Sequence, residues 1–139
     1  MGFLLEITLP AKLGNLQAFI EPVKGCAKEQ GFGEKRLAEI ELALEEVLVN
    51  IFNYAYEESS GQPYAKVVCQ RDGDSGFLIE IEDAGFPFDV LSEGQPDVTA
   101  DISDRRIGGL GVFLVRELMD DVQYRREDNK NILTLRVEK

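Results

Sequence analysis

Two stretches of helical periodicity follow one another near the start of the chain, and only after them does the pattern change to that of β-strands. From Lys12 to Gln30, Leu13, Leu16, Phe19, Ile20, Val23 and Ala27 recur at helical spacing, with Pro22 and Gly25 predicting a kink or break. A second helix is predicted from Glu34 to Tyr56, with Leu37, Ile40, Leu44, Val47, Leu48, Ile51 and Ala55 along one side. A short strand, Phe3 to Leu9, precedes them and is closed by Pro10. Beyond the loop at Ser59-Ser60-Gly61-Gln62-Pro63, the β-rich runs Tyr64 to Gln70 and Phe77 to Glu82 read as a hairpin. Gly85 to Ile107 has little periodicity, and a loop of that length in a compact domain is generally functional. Leu110 to Met119 predicts a third helix, and strands at Val122 to Arg126 and Ile132 to Val137 close the chain around Glu127-Asp128-Asn129-Lys130-Asn131. Helices and strands alternate too poorly for a doubly wound parallel sheet. The expectation is an α+β two-layer sandwich, a mixed but mostly antiparallel sheet with about three helices on one face. With 139 residues, one domain over residues 1–139 is expected.

Composition narrows the chemistry. There is no histidine, which excludes Ser-His-Asp and Cys-His catalysis, His-containing zinc sites and a phosphohistidine relay. Any catalysis must rest on carboxylates, amides, backbone groups or a borrowed metal ion. The 26 acidic against 15 basic residues leave a net charge of −11, which argues against a nucleic-acid surface. Cys26 and Cys69 each sit in an apolar pattern and are expected as buried free thiols, although a disulfide between them stays open. No run approaches the roughly 20 apolar residues of a membrane span, and no secretory signal is read, so a cytoplasmic protein is expected.

Three constellations carry chemistry. On the second helix Asn50 falls about 40° from Glu46 and Asn53 about 20° to the other side, so the three form a polar stripe. A solvated helix face explains that as well, since Glu39 and Glu57 share the stripe. Yet a carboxylate one turn from an amide also pairs a general base with a neutral oxygen ligand for Mg²⁺. The second is Asp83-Ala84-Gly85-Phe86-Pro87-Phe88-Asp89 at a strand end, either an ordinary turn or a place where Asp83 accepts from an exocyclic amine while Gly85 lets a ring approach. The third, Gly108-Gly109-Leu110-Gly111, opens the third helix. It is either a flexible entry or a phosphate site, in which Arg105 and Arg106 add charge-assisted bonds. It is neither a Walker A loop nor a dinucleotide fingerprint.

In this order, Glu45-Glu46-Val47-Leu48-Val49-Asn50 with Asn53-Tyr54-Ala55-Tyr56, then the Asp83 to Asp89 segment, then Gly108-Gly109-Leu110-Gly111-Val112-Phe113-Leu114-Val115 resemble the N, G1 and G2 boxes of the GHKL ATPase superfamily. Within it the chain resembles the small anti-sigma factor serine kinases, and the resemblance spans essentially its whole length. It implies that ATP lies between the second helix and a lid loop at about 90–107. Asp83 would hold the adenine amine, with Gly85 beside it, and Asn50 would ligate Mg²⁺ with Asn53 nearby. Gly108, Gly109, Leu110 and Gly111 would bind phosphates with Arg105 and Arg106, and Glu46 would orient or deprotonate the serine hydroxyl of a partner. Of the two adjacent glutamates, Glu46 has the Glu-x-x-x-Asn spacing.

Two departures stand out. Tyr54 occupies a position where many family members carry histidine, and Asn131-Ile132-Leu133-Thr134 replaces the usual Gly-Thr, with Thr134 expected to substitute. The implied partners are an anti-sigma factor antagonist protein and a sigma factor, with a second copy of the chain as a homodimer, and neither nucleic acid nor membrane. The alternative is a non-catalytic, ATP-dependent module that captures a protein partner.

Overall fold

The computed structural model describes residues 2–56, 61–87 and 107–139, with side chains from residue 113 onward in the last segment. Strand β1 (Gly2–Pro10) leads through a 3₁₀ turn (Leu13–Asn15) into helix α1 (Leu16–Glu29). Helix α2 (Glu34–Asn50) follows and runs on into a π turn (Ile51–Ala55). A hairpin of β2 (Tyr64–Asp72) and β3 (Gly76–Asp83), helix α3 (Ile107–Leu118) and a hairpin of β4 (Asp121–Glu127) and β5 (Lys130–Glu138) complete the order. The five strands form one sheet, β1-β2-β3-β5-β4, in which every neighbouring pair is antiparallel. The expected α+β sandwich is therefore the fold, with a sheet that is antiparallel throughout the described residues rather than mixed.

Strand alternation decides what faces the helices. Leu5, Ile7 and Leu9 pair with Cys69, Val67 and Ala65, these with Ile79, Ile81 and Asp83, and these in turn with Leu135, Leu133 and Asn131. Onto this face pack Phe19, Ile20 and Val23 of α1 and Ile40, Leu44 and Leu48 of α2, all fully buried. Each such side chain contributes roughly 1.5–3 kcal/mol on leaving water. Helix α1 lies over β1 and β2, α3 lies against β4, and α2 packs between the two helices. The other face of the sheet carries solvated ion pairs, Arg125 with Glu80, Lys130 with Glu82 and Arg136 with Asp72. Cys26 and Cys69 carry free thiols, Cys69 buried and Cys26 only half-buried. Among the described residues, no helix is long and apolar enough to cross a membrane.

Local expectations fail in three informative places. Helix α1 passes unbroken through Pro22 and Gly25, which lie on its exposed side. The stripe of Phe19, Ile20, Val23 and Ala27 holds the helix to the core despite the N–H that Pro22 lacks. The predicted helix 34–56 changes to a π turn after Asn50. Finally, the last connection is a turn at Asp128 and Asn129, both at positive φ (53 and 62), the backbone of a tight two-residue hairpin. Asn131, expected in that loop, is thereby drawn into β5 opposite Asp83.

Arg36 sets the relation of α2 to α3. Its Nη1 donates to the Leu118 carbonyl at the end of α3 (3.1 Å) and to Glu39, its Nε to the Glu138 carbonyl (2.9 Å), and its Nη2 to Asp120. The contact from the start of α2 to the end of α3 makes the two helices antiparallel. Arg36→Met, which keeps the aliphatic stem, is expected to lower unfolding free energy by about 1–2 kcal/mol, because two carbonyls and two carboxylates lose one charged donor. A thermal melt within error of the parent would contradict that role.

Candidate functional site

The last turns of α2 supply the first two groups. Asn50 is 2% exposed, and its enclosed Oδ1 has no hydrogen-bond partner among the described residues. A buried amide oxygen in that condition costs about 1–3 kcal/mol, so it is not explained by folding. Glu46, one turn earlier on the same face, is half-buried, and burial followed by the neighbouring Glu45 charge raises its carboxyl above the ordinary carboxylate range. The solvated-face reading of the stripe thus fails at Asn50 and holds at Asn53, which is exposed on the π turn. Tyr54, beside it, is also exposed.

The second part is built at the end of β3. Asp83 is 3% exposed, and its Oδ1 accepts from the Gly85 N–H (2.9 Å) and from Asn131 Nδ2 (2.9 Å). Burial raises its carboxyl, opposed by those two bonds and by the Arg126 charge. Asn131 Nδ2 also donates to the Phe86 carbonyl (2.6 Å), and the Tyr124 hydroxyl donates to Asn131 Oδ1 (2.6 Å). The turn after Asp83 is pinned from both sides: the Tyr56 hydroxyl accepts from Ala84 N–H (2.8 Å), and Arg126 Nη1 donates to the Gly85 carbonyl (2.9 Å).

At Gly85 the structure shows a close approach by the protein's own backbone. The end of the π turn rests on it, with Phe86 N–H donating to the Ala55 carbonyl (2.7 Å), and a Cβ on Gly85 would overlap that carbonyl oxygen. The missing side chain admits the protein's own backbone. Gly85→Ala is expected to destabilise the fold by about 3 kcal/mol, and to lower the melting temperature by about 10 °C, through overpacking against backbone. An unchanged melting temperature would overturn that reading.

Between these parts lies a crevice lined by Val47, Ile81 and Leu133 and by Asp83, Asn131 and Tyr124, of about 10 Å³. Helix α3 packs along α2. From Leu118, at the level of Arg36, its 12 residues rise roughly 17 Å, which brings its N-terminus to about the level of Glu46 to Asn50 on α2. Because α3 begins at Ile107 and not after the glycines, Gly108 and Gly109 stand in its first turn, where amides lack intrahelical partners. Leu110 and Gly111 lie further into the helix. Such a terminus favours anions. Arg105, Arg106 and the lid loop up to residue 106 lie outside the described residues.

One expected contact is displaced. Thr134 pairs with Glu80, so strand alternation turns it to the face of the sheet opposite Asp83 and Asn131. The β5 residue that faces Asp83 is instead Asn131. Asn131, Tyr124, Tyr56 and Arg126 were not legible as site residues. For Asn131 the available signal was the Asp128-Asn129 pair, whose left-handed tolerance permits a two-residue turn and so fixes the register Arg126 to Asn131.

Residues 9–137 match the family model described as a histidine kinase-like ATPase domain. The chain is 27% identical over 134 residues to the serine-protein kinase RsbW of Listeria monocytogenes, covering 93% of this chain and 83% of that one. It is 25% identical over 131 residues to the RsbW of Bacillus cereus, covering 93% and 81%. Among solved structures it resembles the RsbU and RsbW domains of a Mycobacterium tuberculosis protein, with TM-score 0.68 and 16% identity over 96% of this chain. It spans about a third of that chain, 32%. A chain of the SiaB–SiaC complex of Pseudomonas aeruginosa is similar with TM-score 0.60 and 15% identity, covering 97% of this chain and 89% of that one.

Proposed function

The chain belongs to the histidine kinase-like ATPase domain family, and on that premise we propose that it is an anti-sigma-factor-type serine-protein kinase. In this reading it binds ATP with Mg²⁺ and phosphorylates a serine of an anti-sigma factor antagonist. It would regulate transcription in the cytoplasm through protein partners, with a sigma factor as a second partner and a homodimer as its assembled form. The observation that carries the reading is the buried Asn50 Oδ1, without a partner among the described residues and one helical turn from a half-buried Glu46. The similarity to proteins named serine-protein kinase RsbW supports the same direction.

The residues present fit the metal. A neutral amide oxygen already withdrawn from water and from protein donors suits a hard cation, which needs only one or two protein oxygens when phosphates supply others. Asn50 would hold it, and the ion would neutralise charge developing on the transferred phosphoryl group.

The chain's own groups divide the remaining work. Asp83 would accept the adenine amine at the strand end. The first-turn amides of α3, those of Gly108 and Gly109, would meet phosphate oxygens, with Arg105 and Arg106 proposed to add charge. Glu46 would accept the serine proton as its oxygen attacks the γ-phosphorus, while the bond from that phosphorus to the bridging oxygen breaks and ADP leaves. A raised carboxyl pKa brings this base nearer to working pH.

The deciding experiment incubates the protein with Mg²⁺, ATP and a candidate antagonist and maps phosphoserine by mass spectrometry. A single modified serine in the antagonist is expected. ATP binding with no phosphoserine would leave the non-catalytic binding module as the function. No ATP-induced thermal shift at millimolar nucleotide would remove the nucleotide reading itself.

A further inference from the structure

We propose that a second copy of this chain docks on the outer edge of β1, strand against antiparallel strand, so that two sheets join into one; the inference rests on the homodimer reading above and says where that dimer forms. Strands β1 and β4 are the two edges of the sheet. An edge strand presents a row of backbone N–H and C=O groups on its outer side, a template for pairing that proteins ordinarily blunt with charged side chains. The two edges differ in this respect. Four of the seven residues of β4 are charged, namely Asp121, Arg125, Arg126 and Glu127. Of the nine residues of β1 only Glu6 is charged, and Lys66 on β2 stands 4.0 Å from it. In a chain of net charge −11, a nearly neutral strand of this length lets two copies approach with little repulsion.

The apolar side chains along this edge are incompletely covered. Leu5, Ile7 and Leu9 pack against the core yet are only half-buried, whereas Val67, Cys69, Ile79 and Leu135 on the inner strands are fully buried. Leu13, in the turn after β1, is 65% exposed. The stretch from Leu5 to Leu9 is also complementary to itself. A register with Ile7 opposite Ile7 of the second copy sets Leu5 opposite Leu9 on the helix side and Glu6 opposite Thr8 on the other face. Apolar groups then meet on one side, a carboxylate meets a hydroxyl on the other, and no like charges are opposed. That self-complementarity selects a second copy over the strand of a different protein. The pairing is isologous, each contact occurring twice about a two-fold axis, so it closes at two copies. The crevice at Asp83 and Asn131 lies further across the sheet, on β3 and β5, and is untouched in each copy.

The test measures the dimer dissociation constant by sedimentation equilibrium for the parent, Thr8→Glu and Thr8→Lys. Thr8 is exposed, so neither substitution disturbs the core. Thr8→Glu sets a second carboxylate opposite Glu6 at both symmetry-related positions and is expected to weaken the dimer by about tenfold. Thr8→Lys sets an ammonium group there and is expected to hold the dimer or tighten it. A second measurement reads the register. In a Cys26→Ser background, an equal mixture of Glu6→Cys and Thr8→Cys chains is expected to cross-link under mild oxidation. Neither variant alone is expected to do so, because two copies of the same position stand too far apart to be bridged. A parent that stays monomeric across the accessible concentration range ends both the homodimer reading and this one. A dimer indifferent to both Thr8 substitutions, with no mixed cross-link, keeps the homodimer and overturns its place at β1.

Discussion

Glu46→Gln is expected to slow phosphate transfer to a partner serine by about 10²–10⁴-fold while leaving nucleotide affinity within about twofold. Glutamine keeps the size and the hydrogen-bonding oxygen of the side chain but cannot take a proton, so the change isolates the base. The pH dependence should separate the two enzymes further. Burial and the Glu45 charge disfavour the ionised form of Glu46, so its carboxyl loses its proton at higher pH than an ordinary glutamate. Below that pKa the base is occupied by a proton; above it the base is free. The parent rate should accordingly rise with pH and level off, with an acidic limb displaced upward from the ordinary carboxylate range, and the residual rate of Glu46→Gln should lack that limb. Glu45→Gln removes the like charge and should move the limb toward lower pH with little loss at the plateau. If Glu46→Gln transfers phosphate at the parent rate, the base lies elsewhere.

Asn50→Ala should separate function from stability in the opposite sense to most core substitutions. The parent encloses an amide oxygen with no partner among the described residues, a cost of about 1–3 kcal/mol that the substitution removes, against a void costing about 1 kcal/mol. The nucleotide-free variant should therefore melt within about 4 °C of the parent or above it. Its affinity for ATP in the presence of Mg²⁺ should fall more than about tenfold, while binding in excess chelator should barely change. Asn131 provides the internal contrast. It is as deeply buried but has its amide bonded at both ends, so Asn131→Ala should lose stability, by about 2–3 kcal/mol. A fall in melting temperature for Asn50→Ala, with Mg²⁺-dependent affinity intact, would show that Asn50 is a structural residue with a partner of its own.

Much of the fold was legible because burial has a local signature. The period of about 3.6 in Ile40, Leu44, Val47, Leu48 and Ile51 identified α2 and its core side, and the alternation of Val67, Cys69, Ile79 and Ile81 identified the central hairpin. The Glu46 and Asn50 pairing could be read too, since four residues along a helix is a fixed geometry. Pro22 misled because helix propensity is a per-residue preference of about 3 kcal/mol at most, which a buried stripe on the opposite side of the helix overrides. Thr134 misled for a related reason. A one-residue difference in strand position reverses the face, and the sequence around Asn131 did not reveal where β5 begins.

The sequence by itself determined the order of the elements, the side of α2 that bears Glu46 and Asn50, and the family pattern of three boxes, since each of these depends on residues close together along the chain. Only the tertiary structure decided that Asn50 is left without a partner, that Gly85 yields its space to Ala55, and that Asn131 clamps Asp83 from 48 positions away. Those outcomes depend on which strand lies beside β3 and in what register, and on how the end of α2 meets the turn beyond it. Hydrophobic periodicity records whether a position is buried; it carries no information on which distant donor or acceptor a buried polar group will meet.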